Sequence, residues 1–202
     1  MAKLYFKFGT MGSSKTANAL MTKFNYEERG KKVWLIKPSI DTRDNVADSD
    51  GSIKTVIKSR VGLVCIAEVI EPNDSILEAF TSKKECYDTI ICDEAQFLSA
   101  AQIDELKEIV DTMDVSVFCF GLRTDFMTNL FAGSKRLFEI ADSISEIKSI
   151  CSCGNKATIN ARIDASGNVV TNGDQIDIGG NEKYTGMCYR CYKEKMRKDE
   201  SN

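Results

Sequence analysis

The segment Gly9-Thr10-Met11-Gly12-Ser13-Ser14-Lys15-Thr16 follows an alternating apolar and polar run, Lys3 to Phe8. It precedes Ala17, Leu20, Met21 and Phe24, which recur at helical spacing until Gly30. Strand, glycine- and serine-rich turn and helix in that order are the context of a phosphate-binding loop, and the residues nearly match G-x-x-x-x-G-K-[ST]. In such a loop the backbone N–H groups and the helix N-terminus face a polyphosphate, a lysine neutralises its β and γ oxygens, and a hydroxyl reaches Mg²⁺. Lys15 and Thr16 take those two places. Ser14 departs from the pattern, which has glycine there. Its side chain crowds the phosphates if the position needs a positive φ. A glycine/serine turn that merely caps a helix is the competing reading of the loop.

Working outward, Val33-Trp34-Leu35-Ile36 reads as a buried strand closed by Pro38, and Ile40 to Gly51 as a polar, aspartate-rich surface loop. Thr55 to Lys58 and Val64 to Ile70 are shorter strand candidates. Asn73 is placed to cap a helix through Ile76, Leu77 and Phe80, and Thr89-Ile90-Ile91-Cys92 is an apolar strand that runs into Asp93-Glu94. Ser99 and Gln102 form a capping box ahead of Ile103, Leu106, Ile109, Val110 and Met113; Val115 to Phe120 is a further strand ending at Gly121. Leu137, Phe138 and Ala141 predict one more helix before Ile144 to Ile150. Strands alternating with helices imply an α/β fold: a P-loop NTPase-like parallel sheet with helices on both faces. Such a sheet binds ligands at the carboxyl ends of its strands, which is where Asp93-Glu94 falls. Asp93 suits metal binding through water and Glu94 suits proton abstraction from an attacking hydroxyl. A solvated acidic turn is the alternative.

Composition narrows the class. The 202 residues are 43% hydrophobic and 28% charged, the balance of a soluble globular protein, with a net charge of -3 that argues against a polynucleotide partner. No apolar stretch is long enough to span a bilayer, and the N-terminus enters a strand directly, so neither membrane nor leader peptide is expected and the chain reads as cytoplasmic. With no histidine, proton abstraction falls to carboxylates and a soft metal site to thiolates. Cys65, Cys86, Cys92 and Cys119 are scattered among apolar neighbours and read as packing residues or partly exposed thiols. Cys151-x-Cys153 and Cys188-x-x-Cys191 are two close pairs with 34 residues between them, the layout of a four-thiolate structural zinc ribbon. Disulfides and unligated thiols compete with that reading. The expected organisation is a nucleotide-binding α/β domain over 1–148, a zinc-binding lobe over 149–194, and a disordered charged tail over 195–202.

Phe8-Gly9-Thr10-Met11 with Lys15-Thr16, Asp93-Glu94-Ala95-Gln96-Phe97, Gly121-Leu122-Arg123-Thr124-Asp125-Phe126 and Ile178-Gly179-Gly180-Asn181-Glu182-Lys183-Tyr184 resemble the type II thymidine kinases along nearly the whole chain. The resemblance implies a Mg-ATP-dependent transferase that phosphorylates deoxythymidine to its monophosphate for DNA precursor synthesis. It implies a C-terminal zinc lobe that throws a lasso loop over the nucleoside. On the same likeness Gly9 to Thr16 and Asp93 bind the nucleotide phosphates, with Thr16 and Asp93 on Mg²⁺, and Glu94 is the base. Met11, Phe97, Leu122, Phe126, Phe131, Ile178, Gly179 and Tyr184 hold the nucleoside. Lys37-Pro38, Asp41 and Arg43 match a loop near the phosphates, where Arg43 stabilises developing charge. Arg123 and Asp125 equally suit a structural ion pair. Family members are commonly homotetramers inhibited by thymidine triphosphate (dTTP). Two rival readings remain: a nucleotide-binding regulatory module with weak or no turnover because of Ser14, and a P-loop ATPase whose ribbon holds nucleic acid.

Overall fold

The computed structural model describes residues 1–42, 46–47, 53–176 and 183–199. In chain order the elements are β1 (Leu4–Phe8), α1 (Lys15–Glu27), β2 (Val33–Pro38), β3 (Val46–Ala47), β4 (Ile53–Lys54), β5 (Val56–Lys58), β6 (Val64–Ile66) and β7 (Glu68–Ile70). There follow α2 (Ile76–Thr81), β8 (Thr89–Cys92), a 3-10 turn (Ala95–Phe97), α3 (Ala100–Met113), β9 (Ser116–Gly121), α4 (Ala132–Ile140) and β10 (Ser143–Glu146). The C-terminal part adds β11 (Ile159–Arg162), β12 (Tyr184–Met187) and α5 (Tyr189–Asp199).

Six strands form one sheet in the order β10-β1-β9-β8-β2-β7, every neighbouring pair parallel. The period-2 alternation of side chains divides the core in two. Leu4, Phe6, Trp34, Ile36, Ile90, Cys92, Val117 and Cys119 point to one face, beneath Ile76 of α2, Ile103, Leu106 and Ile109 of α3, and Leu137 of α4. Val33, Leu35, Ile91, Phe118 and Phe120 point to the other, beneath Ala19 and Leu20 of α1 and Ile57 of the β5–β6 ribbon. The fold is therefore the expected α/β arrangement, a parallel sheet with helices on both faces. Cys92 and Cys119 are fully buried packing residues, and burial pushes the Cys119 thiol up to about 12.

Local signals are met unevenly. The capping box at α3 is present in both directions: Ser99 Oγ accepts from Gln102 N at 3.1 Å and Gln102 Oε1 from Ser99 N at 3.0 Å. At α2 the cap is Ser75 rather than Asn73; Ser75 has extended backbone and its hydroxyl accepts from Glu78 N, which starts the helix two residues later. On α1, Met21 and Phe24 are outward-facing, because the sheet covers only the stripe of Ala17, Ala19 and Leu20.

The C-terminal lobe is an antiparallel β11–β12 pair with its own small core of Ala157, Ile159, Ala161, Val169, Met187 and Tyr192. Structure does not stop at residue 194. Helix α5 runs to Asp199, because Met196 packs on that core and Lys195 Nζ donates to Gly167 O at 2.7 Å, so a charged segment gains anchors its composition hides. Residues 200–202 lie outside the described residues.

One contact ties a helix to the turn after β8. A Cβ on Gly133 of α4 would lie 2.6 Å from both Ala95 O and Leu98 O. Gly133→Ala is therefore expected to lower unfolding stability by about 2 kcal/mol, read from urea denaturation, because rigid backbone has to move to admit the methyl group.

Candidate active site

The phosphate loop is built at the carboxyl end of β1. Gly9 N donates to Gly121 O at 3.2 Å, tying the loop to β9, and Ser13 N donates to Thr10 O at 3.1 Å, closing a turn. Gly12 and Ser14 both have positive φ, 79° and 62°, so the position that departs from the glycine pattern does adopt the left-handed backbone. Ser14 makes no side-chain cap; its carbonyl accepts from Asn18 N at 3.0 Å and starts α1. Lys15 is buried, with Nζ donating to Thr10 O at 3.0 Å.

This loop forms one wall of a cleft of about 220 Å³. Lys15, Thr16, Asp41, Asp93 and Glu94 line it, so the lysine and the Asp93-Glu94 pair converge although β1 and β8 are separated by β9. Lys37, buried and paired with Asp41 at 3.3 Å, holds that carboxylate in place. Lys58 and Arg60 also line the cleft, from the turn closing β5–β6 in which Ser59 N donates to Leu63 O. Sequence reasoning passed over both. Their only signal is two basic residues at the tip of a short ribbon. Arg43 lies outside the described residues.

Asp93 is buried close to the Thr16 hydroxyl, which favours its ionised form. Burial, followed by the charge of Glu94, raises its pKa from 3.8 to about 7, against the opposing pull of Thr16 and Lys15. Its Oδ1 is buried with no hydrogen-bond partner. A hydroxyl and an unsatisfied carboxylate oxygen opposite a phosphate loop fit a hydrated Mg²⁺, which takes one or two protein oxygens and keeps its waters.

Glu94 also has left-handed backbone, φ 52°, which turns its side chain off the end of β8. Glu94 Oε2 accepts from Gln96 Nε2 at 2.6 Å, and Gln96 Oε1 accepts from Leu122 N at 2.9 Å, so one amide fixes the carboxylate relative to β9. Glu94 and Met11 line this cleft and also a second, more apolar cavity of about 50 Å³. The second cavity gathers the expected Phe97, Leu122, Phe126, Phe131 and Tyr184, with Phe97 and Phe131 edge to face at 5.6 Å. Ile178 and Gly179 lie outside the described residues.

Arg162, which sequence reasoning did not single out, organises this cavity. Its guanidinium lies 4.0 Å from the Phe126 ring centroid and donates to Tyr184 Oη at 2.7 and 3.0 Å and to Asp174 O at 3.1 Å. Arg123 and Asp125 do not pair: Arg123 donates to Thr158 O, while Asp125 accepts from Asn129 N and Gln175 Nε2.

The sulfur atoms of Cys151, Cys153, Cys188 and Cys191 lie within 4.8 Å of one another. That spacing suits tetrahedral zinc with Zn–S bonds of about 2.3 Å. Burial opposes ionisation of Cys151, yet hydrogen bonds from the backbone N–H groups of Cys153 and Cys188 and from the thiols of Cys153 and Cys191 together outweigh it and bring its thiol down to about 6. Hydrogen bonds shared with Cys153 and Cys188 push Cys191 up to about 12, so full ionisation of the cluster calls for a cation.

Two outcomes follow from this geometry. Ser14→Gly removes a left-handed β-carbon and is expected to stabilise the protein by about 0.5–1 kcal/mol in thermal unfolding. The raised Asp93 pKa means that the fold without metal or nucleotide takes up a proton more readily than the unfolded chain. Its contribution is complete below pH 3.8 and is lost as pH rises through about 7, while Asp88, Asp142 and Asp164, held below the usual carboxylate range, act in the opposite sense; the melting temperature of the parent relative to Asp93→Asn is therefore expected to fall over that window.

The thymidine kinase family model matches residues 2–192. The thymidine kinase of Zymomonas mobilis is 42% identical over 198 residues, covering 97% of this chain and 98% of the relative. That of Vibrio cholerae is 39% identical over 198 residues, covering 97% and 99%, and that of Rhodopirellula baltica 39% over 196 residues, covering 96% and 89%. With the phosphate loop, the acidic pair and the four-thiol lobe in one chain, matched from end to end, this protein belongs to the thymidine kinase family.

Proposed function

We propose that the protein transfers the γ-phosphate of ATP to the 5′-hydroxyl of deoxythymidine, giving the monophosphate used in DNA precursor synthesis. The observation that carries this reading is the position of Glu94, whose residue borders both the polar cleft and the apolar cavity. ATP enters the cleft along Gly9 to Thr16, with Lys15 against the β and γ oxygens. Mg²⁺, held by Thr16 and Asp93, neutralises phosphate charge when bound. Deoxythymidine enters the cavity among Met11, Phe97, Leu122, Phe126, Phe131 and Tyr184. Glu94 takes the 5′-hydroxyl proton as the oxygen–γ-phosphorus bond forms and the bond from γ-phosphorus to the bridging oxygen of ADP breaks.

Arg43 on the phosphates and Ile178 and Gly179 over the nucleoside complete the proposal from family resemblance. Zinc on the four thiols has a structural part: a lobe with so small a core needs a crosslink. A cytoplasmic location accords with the absence, among the described residues, of a helix long and apolar enough to cross a membrane. A homotetramer accords with outward-facing Met21 and Phe24 on α1, 55% and 63% exposed. Feedback by dTTP follows from the likeness alone.

Radiolabelled ATP offered with each deoxynucleoside in turn tests the reading. Label transfer to deoxythymidine supports it, whereas tight nucleotide binding with no transfer overturns it. Glu94→Gln is expected to cut turnover by about a hundredfold or more with little change in deoxythymidine affinity. An undiminished rate in that variant would remove Glu94 as the base.

A further inference from the structure

Asn160, on β11 of the C-terminal lobe, is 3% exposed, and its carboxamide reaches into the α/β domain at two points. Its Oδ1 accepts from Met11 N at 2.8 Å and its Nδ2 donates to Thr124 O at 2.9 Å. The partners fix the amide's orientation, since an N–H has to meet the oxygen and a carbonyl the nitrogen. Met11 belongs to the phosphate loop and borders both cavities; Thr124 belongs to the loop after β9 and borders the apolar one. One buried side chain thus bonds the donor side and the acceptor side of the site at once.

Two further contacts set the lobe against the same stretch of loop. Thr10 Oγ1 lies 2.6 Å from Ser149 Oγ. A Cβ on Gly186 of β12 would sit 3.2 Å from Met11 O and 3.3 Å from Thr10 Oγ1, so this strand lies directly on the loop backbone. The loop carries positive φ values at Gly12 and Ser14, and a backbone in that region is held by its surroundings.

We propose that Asn160 is a positioning residue that holds the phosphate loop at Met11 and the nucleoside wall at Thr124 in one register, coupling the two substrate sites through the C-terminal lobe. The coupling of substrates rests on the kinase reading above; the hold on Met11 does not. Asn160→Ala removes both bonds and leaves the part-buried Met11 N–H and the buried Thr124 carbonyl without this partner. Asn160→Asp retains an acceptor for Met11 N–H but sets a carboxylate oxygen against Thr124 O.

The test uses the full chain loaded with zinc and labelled with nitrogen-15 methionine, at pH 8. In Asn160→Ala the Met11 amide is expected to exchange with solvent about tenfold faster, with Met21 and Met113 unchanged, and the KM values for ATP and deoxythymidine to rise about tenfold each. In Asn160→Asp, Met11 exchange and the ATP KM are expected to stay within about threefold of the parent while the deoxythymidine KM still rises about tenfold. Overturning results are Met11 exchange and both KM values in Asn160→Ala within about twofold of the parent, or both variants losing kcat and melting temperature in parallel with KM unchanged. Should the parent protein fail to phosphorylate deoxythymidine, the kinase reading falls and the coupling with it; Met11 exchange then decides the hold on the loop alone.

Discussion

A carboxylate buried without a full set of partners is the constraint around which this molecule is arranged. Asp93 sits at the end of a strand whose four residues are all buried, close to the Thr16 hydroxyl and with its Oδ1 unsatisfied. Burial and the charge of Glu94 favour the neutral acid, and the Thr16 hydroxyl, the Lys15 charge and the Glu94 backbone N–H pull the other way. A fold tolerates such a group where a cation or a charged ligand completes it. The phosphate loop supplies the opposite half of that requirement, with a buried lysine and backbone N–H groups facing the same cleft.

The sheet makes this juxtaposition by topology. Placing β9 between β1 and β8 brings the loop after β1 and the acidic turn after β8 to the two sides of one strand end. Gly121 and Leu122 then bind each side, Gly121 O through Gly9 N and Leu122 N through Gln96. Left-handed backbone at both Ser14 and Glu94 turns the chain sharply just where side chains or N–H groups have to face a ligand.

The C-terminal lobe has a small core, yet it completes the apolar cavity. Tyr184, Asn160 and Arg162 come from its two strands, and Tyr192 of α5 donates to Phe126 O at 3.2 Å. Its attachment is polar and specific rather than a broad apolar interface. The four close thiols are spaced so that a bound metal would crosslink this small unit.

What the sequence determined by itself was whatever local pattern encodes. Strand and helix periodicity, the capping box at Ser99, the phosphate loop and the paired cysteines are each written in a few neighbouring residues, and the α/β fold follows from them. The aromatic set of the apolar cavity was legible only through family likeness, because a phenylalanine in a cavity wall and one in a core share the same local pattern. Tertiary structure decided the rest. Strand order, not any motif, put β9 between the loop and the acidic pair. Packing across long sequence separations made Arg162, Asn160, Lys58 and Arg60 part of the site, and carried α5 past the expected end at residue 194. Such contacts depend on which surfaces meet once the chain is folded, and no spacing within a single segment records that.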